Sequence, residues 1–288
     1  LFLARALDGI TAGNFPVAQA VISDTTEEKD RAKGFGIIGA CYGIGLVAGP
    51  AISALTAGIS LKLPFIIAGI LASLATIMTI TLLEETNQHI GKIINKKLFD
   101  WKKLGQAMFD PATGLTLIIS FLWSFAFGMF IYAYQPFSLK VLHFSPTQIS
   151  LTFLLFGIVA MLTQIFIVSR LSKKLGNKRA LSLVLSVLVL SFVILLLFHN
   201  IASVLTAIVM MGFSSTAVQT LVQTLLSKET IPQRQGEILG LGTSYISIGQ
   251  IIGPITAGAI IALGVNYSFL VSAILIFIGL MFSRRIKA

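Results

Sequence analysis

The residues with the strongest capacity for chemistry are Arg5 and Asp8, the only charged residues that lie deep within a long apolar stretch. At positions i and i+3 of a helix the two side chains share a face and can pair, which lowers the cost of burying either charge. Ionisable groups inside a membrane are functional candidates, and protonation of Asp8 would free Arg5 to move or to polarise a neighbouring acid. The alternative is that Asp8 lies near the outer end of the helix, where it only neutralises Arg5 or meets water.

The sequence lacks the residue combinations that other kinds of site chemistry require. The chain has one cysteine, Cys41, which excludes a disulfide framework and a multi-cysteine metal site, and its three histidines are scattered. Because no nucleophile–base pair, phosphate loop or metal-ligand spacing occurs, the sequence predicts neither an enzyme nor a bound cofactor nor a metal. The net charge of +10 does not indicate nucleic acid, since a basic binding domain does not bury its charges among long apolar runs. No obligate protein partner is evident.

The elements that must position these residues are apolar helices. Of the 288 residues, 56% are apolar and 11% are charged, whereas a soluble domain carries roughly a quarter of charged residues. Nine stretches reach the roughly 20 residues that a helix needs to cross a bilayer, and they lack the alternation of a membrane β-strand. The sequence therefore predicts an all-α membrane protein with nine transmembrane helices near 1–22, 34–58, 63–83, 112–136, 147–169, 180–198, 201–226, 237–262 and 267–283.

The distribution of basic residues predicts the orientation of these helices. All but three of the 21 lysines and arginines fall in segments that would lie on one side of the membrane; the exceptions are Arg5, Lys62 and Lys140. Loops rich in lysine and arginine stay in the cytoplasm. The C-terminus is therefore expected to be cytoplasmic, in a multi-pass protein of the cell membrane, most simply a bacterial inner membrane.

A glycine–proline pattern occurs twice. Gly45-x3-Gly49-Pro50 returns as Gly249-x3-Gly253-Pro254, 204 residues later and six helices further on. Such a parallel repeat is typical of transporters built from two similar halves. We therefore expect a remnant of an N-terminal bundle over 1–83, a cytoplasmic linker over 84–111 and a six-helix C-terminal bundle over 112–288. Because the first half has three helices, the chain is expected to be a fragment. The linker repeats apolar residues every three or four positions between lysines, as in a helix lying on an anionic leaflet, although a plain tether is an equal alternative.

These motifs resemble the major facilitator superfamily, and more narrowly its drug:proton antiporters of the tetracycline-efflux and multidrug type. Leu1-x3-Arg5-x3-Gly9-x3-Gly13 is similar to the motif of the fourth helix, and Gly45-x3-Gly49-Pro50 to the antiporter motif of the fifth. Ser53-Ala54 stands where that motif has two glycines. A third similarity is to the loop between helices eight and nine, although a lysine replaces its usual aspartate; the matching residues are Lys173, Lys174, Gly176, Lys178 and Arg179.

The resemblance implies a major-facilitator-type fold of which the nine spans are helices 4–12 of twelve. It also implies a proton-coupling role for Arg5, with Asp8 as its candidate partner. The repeated residues Gly45, Gly49, Pro50, Gly249, Gly253 and Pro254 are expected to form smooth, bent faces where the two bundles rock against each other. Ordinary small-residue packing is the alternative.

The substrate cavity is expected to be lined by aromatic side chains and neutral amides, which bind compounds with apolar bulk through a few orienting hydrogen bonds. Each residue alone could equally be a helix contact. The candidates are Asn14, Gln19, Tyr42, Trp123, Phe127, Tyr134, Gln135, Gln164, Gln219, Gln223, Tyr245 and Gln250.

The leading functional hypothesis is a secondary transporter that exports drug-like amphipathic compounds in exchange for protons, with the small-molecule substrate, protons and the lipid bilayer as its partners. Three alternatives remain: uptake or facilitated passage of a nutrient by a carrier of the same fold, a polytopic membrane enzyme or receptor, and a fragment that transports nothing.

Overall fold

The fold was analysed in a computed structural model. The structure describes all residues except 1, 12–16, 19–20, 23–24, 27–30, 57, 85–100, 231–233 and 287–288. At some further helical positions it describes the backbone but not the side chain. The predicted site residues Asn14 and Gln19 lie outside the described residues, as do the side chains of Arg5, Asp8 and Tyr42.

The described residues form helices and contain no β-strand, which confirms the all-α prediction. One segment, Thr163–Ile167, is a π-helical turn. The helices are α1 (Phe2–Thr11), α2 (Arg31–Thr56), α3 (Leu63–Leu82), α4 (Trp101–Ala107), α5 (Gly114–Lys140), α6 (Pro146–Leu162), α7 (Val168–Leu175), α8 (Asn177–Leu197), α9 (Ile201–Lys228), α10 (Gln235–Ile261) and α11 (Asn266–Ser283).

Seven helical segments of the described part are long and apolar enough to cross a membrane. They are α3, α5, the continuous run Pro146–Leu175, α8, α9, most of α10 and α11, and each coincides with a predicted span. The two remaining predicted spans, 1–22 and 34–58, correspond to α1 and α2, of which the structure describes only part. The seven described segments confirm the prediction of a multi-pass membrane protein.

The helix ends follow the local sequence. Ser145 begins α6 with a reciprocal cap, in which its hydroxyl accepts from Gln148 N and Gln148 Oε1 accepts from Ser145 N, while Pro146 occupies the first helical position. The side chain of Asn200 caps α9 in the same way by accepting from Ser203 N. These polar caps place the α5–α6 and α8–α9 turns where the apolar runs stop.

The core lies among the C-terminal helices and is centred on α5, which packs against α10 and α11; α8 packs against α9 and α11. Its largest fully buried side chains are Phe130, Tyr134, Phe137, Phe192 and Phe269. In contrast, α3 has no buried residue. The N-terminal helices join the C-terminal ones chiefly through α2, which packs against α6.

The described part of the predicted linker packs against the C-terminal helices. Leu104, Ala107 and Met108 pack against the hydrophobic core, and the hydroxyl of Tyr245 on α10 donates to the carbonyl oxygen of Leu104 at 2.6 Å. A helix lying flat on a lipid leaflet would leave these apolar side chains without protein contacts. Residues 101–108 are therefore held by the bundle, which favours the tether over the lipid-bound helix for this part of the linker.

Replacing Tyr245 with phenylalanine is expected to loosen α4. The substitution removes the hydrogen bond to Leu104 O while keeping the ring, at a cost of about 1 kcal/mol. Tryptic cleavage after the exposed Lys102, followed on the folded protein, should become several-fold faster. Tyr267→Phe, at an exposed tyrosine of α11, is the matched control and should leave the cleavage rate unchanged. Equal rates in the two variants would show that the hydrogen bond does not hold α4.

Candidate functional site

An aromatic column runs along α5 and is extended by α6. Trp123 stacks on Phe127 with ring centroids 5.9 Å apart, and Phe127 stacks in turn on Phe156 of α6 at 6.0 Å. Further along α5, Phe130 contacts Tyr134 at 5.2 Å. The spacing of three and four residues along α5 puts these rings on one face. Phe127 is half-buried, so the column offers an apolar surface at this point.

Three of the predicted cavity residues are buried instead in the helix packing. Tyr134 is fully buried and its hydroxyl donates to Thr152 Oγ1 at 2.8 Å, and Tyr245 is 3% exposed with its hydroxyl bound to the linker. Trp123 is 5% exposed, although its indole N–H has no hydrogen-bond partner in the described structure. The hydroxyls of both tyrosines are therefore bound by neighbouring helices, and their place on a substrate cavity stays a prediction.

The predicted glutamines lie on accessible surfaces. Gln164, in the π-helical turn, accepts a hydrogen bond from Thr220 Oγ1 of α9 at 3.0 Å, and π-helical turns are frequent at functional sites. An open cavity of about 380 Å³ lies beside this contact. It is lined by Thr220, Gln223, Thr224, Ser227, Lys228 and Leu239. The exposed glutamines of the predicted set are Gln135, Gln164, Gln219, Gln223 and Gln250.

The glycines of α10 face α5. A methyl group built at Gly249 would lie 2.7 Å from Phe125 N, and one built at Gly253 would lie 2.7 Å from Phe125 O. The ring of Pro254 on α10 packs against Gly128 of α5. Because α5 and α10 both belong to the predicted C-terminal bundle, this copy of the motif packs within that bundle in the structure, and its role at an interface between bundles stays a prediction. Helix periodicity predicts that the glycines share a face, but it does not predict which helix meets that face.

The glycines of α2 have a different environment. Gly45 and Gly49 are exposed, and no described heavy atom lies within 4 Å of a methyl group built at either position. One turn further along, Ser53 Oγ lies 2.9 Å from Ser150 Oγ of α6, and Gly58 comes close to Thr147 Oγ1. The contact between α2 and α6 therefore includes the C-terminal end of α2 and the first turns of α6. The face of α2 that carries Gly45 and Gly49 stays open to the described residues.

The predicted loop motif forms the connection between α7 and α8. Gly176 has φ of +76°, a conformation that glycine adopts without strain, and it allows the chain to turn sharply. Lys173, Lys174 and Arg179 are exposed and Lys178 is half-buried. The loop thus places a cluster of positive charge at the same end of the bundle as Lys228 and Arg284, which we call the basic end.

Comparisons with known proteins agree with this arrangement of membrane-crossing helices. The sequence model of the Major Facilitator Superfamily matches residues 1–245 and, in a second alignment, residues 116–287. The chain belongs to the Major Facilitator Superfamily. The fold of this facilitator is also found in the human organic anion transporter MFSD10 (TETRAN), with a TM-score of 0.68 over 98% of this chain and 70% of the other, at 18% identity.

Two curated relatives of this facilitator are resistance proteins. Tetracycline resistance protein, class C, of Escherichia coli is 30% identical over 268 residues, which are 91% of this chain and 66% of the relative. Multidrug resistance protein 1 of Bacillus subtilis (strain 168) is 30% identical over 294 residues, covering 100% of this chain and 73% of the relative. The chain thus spans about two thirds to three quarters of the length of these relatives. Members of the superfamily are transporters, which confirms that the chain is not an enzyme.

Sequence reasoning missed one polar cluster of this facilitator. Glu229 follows the last turn of α9 and is partly buried, and Thr116 Oγ1 donates to its Oε1 at 3.1 Å. In the sequence, Glu229 follows Lys228 in a polar loop and resembles a solvated residue. Its burial depends on α5, which lies more than a hundred residues away in the chain, so no local pattern could have revealed it.

Proposed function

We propose that this facilitator works as a secondary active transporter that exports drug-like amphipathic compounds in exchange for protons by alternating access. The observation that carries the proposal is the contact of α2 with α6, in which Ser53 meets Ser150 while Gly45 and Gly49 remain open. Helices that touch near one end and leave small residues free toward the other are suited to close on either side in turn.

The direction of transport and the type of substrate are inferred from the relatives and from the residues that remain accessible. The relatives are named for resistance to tetracycline and to multiple drugs. Phe127 offers an aromatic surface, while Gln164 and Gln223 supply neutral amides. Such a set suits a compound with apolar bulk and a few polar groups.

Proton coupling rests on Arg5 and Asp8 within α1 and on the resemblance of that helix to the antiporter motif. An intramembrane arginine beside an acid can respond to protonation because loss of the carboxylate charge removes the partner of the arginine. Under the same proposal the basic end faces the cytoplasm, since lysine- and arginine-rich segments stay on that side.

The test is uptake of a fluorescent lipophilic dye into inverted membrane vesicles that contain the 288-residue chain, driven by an acid-inside pH gradient. We expect dye uptake that collapses when an ionophore dissipates the gradient. Gly49→Leu should reduce uptake to background, because the leucine side chain blocks the approach of another helix to the open face of α2 in the alternate state. Gly69→Leu on α3, which also has no atom within 4 Å, is the matched control.

Both variants are expected to insert at wild-type levels, since a methyl group built at either glycine has no described heavy atom within 4 Å. Wild-type uptake by Gly49→Leu would contradict the role of the glycine face. Uptake that is insensitive to the ionophore would contradict proton coupling, and no uptake by the unaltered chain would contradict transport by these residues.

A further inference from the structure

A second, smaller cavity lies at the basic end, where the start of α5, the end of α9 and the start of α10 meet. Its volume is about 150 Å³, and it is separate from the open cavity along α9. It is lined by Asp110, Ala112, Thr113, Glu229, Thr230, Arg234 and Ile238.

The cavity contains polar atoms whose hydrogen-bonding capacity is unused. Glu229 Oε1 accepts from Thr116, but Glu229 Oε2 is buried and has no hydrogen-bond partner in the described structure. The same holds for Thr230 Oγ1 and for the hydroxyl of Thr113, a lining residue that is only 3% exposed. Buried polar atoms nearly always have hydrogen-bond partners. These oxygens can therefore bind an additional proton or take part in a further hydrogen bond.

The charges around Glu229 do not balance its carboxylate. Asp110 lies on the same cavity and is negative; its Oδ1 accepts from the backbone N–H groups of Ala112 and Thr113 at 2.8 and 3.2 Å. The guanidinium of Arg234 pairs at 3.4 Å with Glu237 of the next helical turn, and Lys228 is exposed. Among the described residues no cation lies within ion-pair distance of Glu229, and repulsion from Asp110 adds to the cost of its charge.

We propose that Glu229 is a proton-binding site at the basic end of the bundle, and that Asp110 and Thr116 set its affinity. Burial raises the pKa of Glu229 above its ordinary value of 4.5, the hydrogen bond from Thr116 acts in the opposite direction, and the charge of Asp110 raises it further. Protonation removes a charge that no described cation balances. A metal ion fits less well, because the lining includes only two carboxylates and the positive charge of Arg234 repels a cation.

The proposal concerns proton binding and does not depend on the compound that is carried or on Arg5. When Glu229 is ionised, a buried charge lies between α5, α9 and α10; when it is protonated, that charge is absent and the three helix ends can pack without it. The site thus makes the packing of α9 and α10 sensitive to the pH on the side that the basic end faces.

The test measures protonated carboxyl groups by infrared difference spectroscopy on the full chain in detergent, titrated with acid. We expect a carboxyl band with a midpoint above 4.5 that disappears in Glu229→Gln and persists in Glu84→Gln, a control at an exposed glutamate after α3. Asp110→Asn should lower the midpoint by removing repulsion. Thr116→Val should raise it by removing the hydrogen bond to the ionised form.

Unfolding measurements supply an independent readout. Because the folded-state pKa is raised, Glu229 stabilises the folded protein below pH 4.5, and this contribution is lost as the pH rises through the folded-state value. Relative to the wild type, Glu229→Gln should therefore unfold at a higher temperature at neutral pH, and the difference should shrink on acidification.

Two results would overturn the proposal. The first is a carboxyl titration that is unchanged in Glu229→Gln or that fails to move in opposite directions in Asp110→Asn and Thr116→Val. The second is a midpoint that falls when sodium or potassium replaces choline at constant ionic strength, since that result would identify the cavity as a metal-cation site. Neither readout measures transport, so failure here leaves proton-driven export as a separate question.

Discussion

Replacing Gly253 with alanine is expected to destabilise the protein by about 3 kcal/mol, at the upper end of overpacking effects. The added methyl group would lie 2.7 Å from Phe125 O, 2.9 Å from Met129 N and 3.0 Å from Gly128 C. All three atoms belong to the backbone of α5, so no side chain can rotate away. The two helices must separate, and α5 is the helix on which most of the C-terminal core packs.

The same helix offers a matched control. Gly240 is exposed, and no described atom lies within 4 Å of a methyl group built there. Gly240→Ala should be neutral or stabilising by up to about 1 kcal/mol, because alanine favours the helix. The two variants are compared by thermal unfolding in detergent, which is monitored through the loss of the monodisperse elution peak. Equal unfolding temperatures would mean that α5 and α10 are not in contact at Gly253.

A disulfide between α2 and α6 is expected to abolish transport. The hydroxyl oxygens of Ser53 and Ser150 lie 2.9 Å apart, so cysteines at both positions should lie within bonding reach. The variant carries Cys41→Ser to remove the exposed native thiol. If the two helices must part at this end during each cycle, dye uptake should fall to background on oxidation and return on reduction.

The control for cross-linking is a pair within the C-terminal helices. Ser182 Oγ of α8 and Ser283 Oγ of α11 lie 2.8 Å apart, and cysteines there should form a disulfide of the same kind. Because α8 and α11 move together in the proposed cycle, this disulfide should leave uptake intact. Transport that survives a complete Ser53–Ser150 cross-link would contradict alternating access at the α2–α6 contact, whatever the substrate.

Much of the architecture follows from local sequence. The apolar runs predict the seven described membrane-crossing segments to within a few residues, since the length of a helix across lipid is set by the thickness of the hydrocarbon layer. Ser145 and Asn200 cap the helices that follow them through their own side chains, which is a local effect of residue type. The motif residues around Arg5 and Gly45 were sufficient to indicate the superfamily.

The candidate site was less accessible to such reasoning. Gln164 and Gln223 are accessible, whereas Tyr134 and Tyr245 are buried and their hydroxyls bind neighbouring segments. Residue type and helical position are the same for a tyrosine that faces a cavity and for one that binds an adjacent helix. The difference depends on which acceptor the fold brings within hydrogen-bonding distance.

The sequence alone therefore determined the class of the protein, its membrane-crossing helices and the repeat of the glycine–proline motif, because each depends on composition and periodicity along one helix. Only the tertiary structure decided that Gly253 packs against α5 while Gly49 stays open, and that Glu229 is partly buried beside Asp110. The physical reason is that a helical pattern specifies a face, whereas contact and the cost of a charge depend on the neighbour that meets that face.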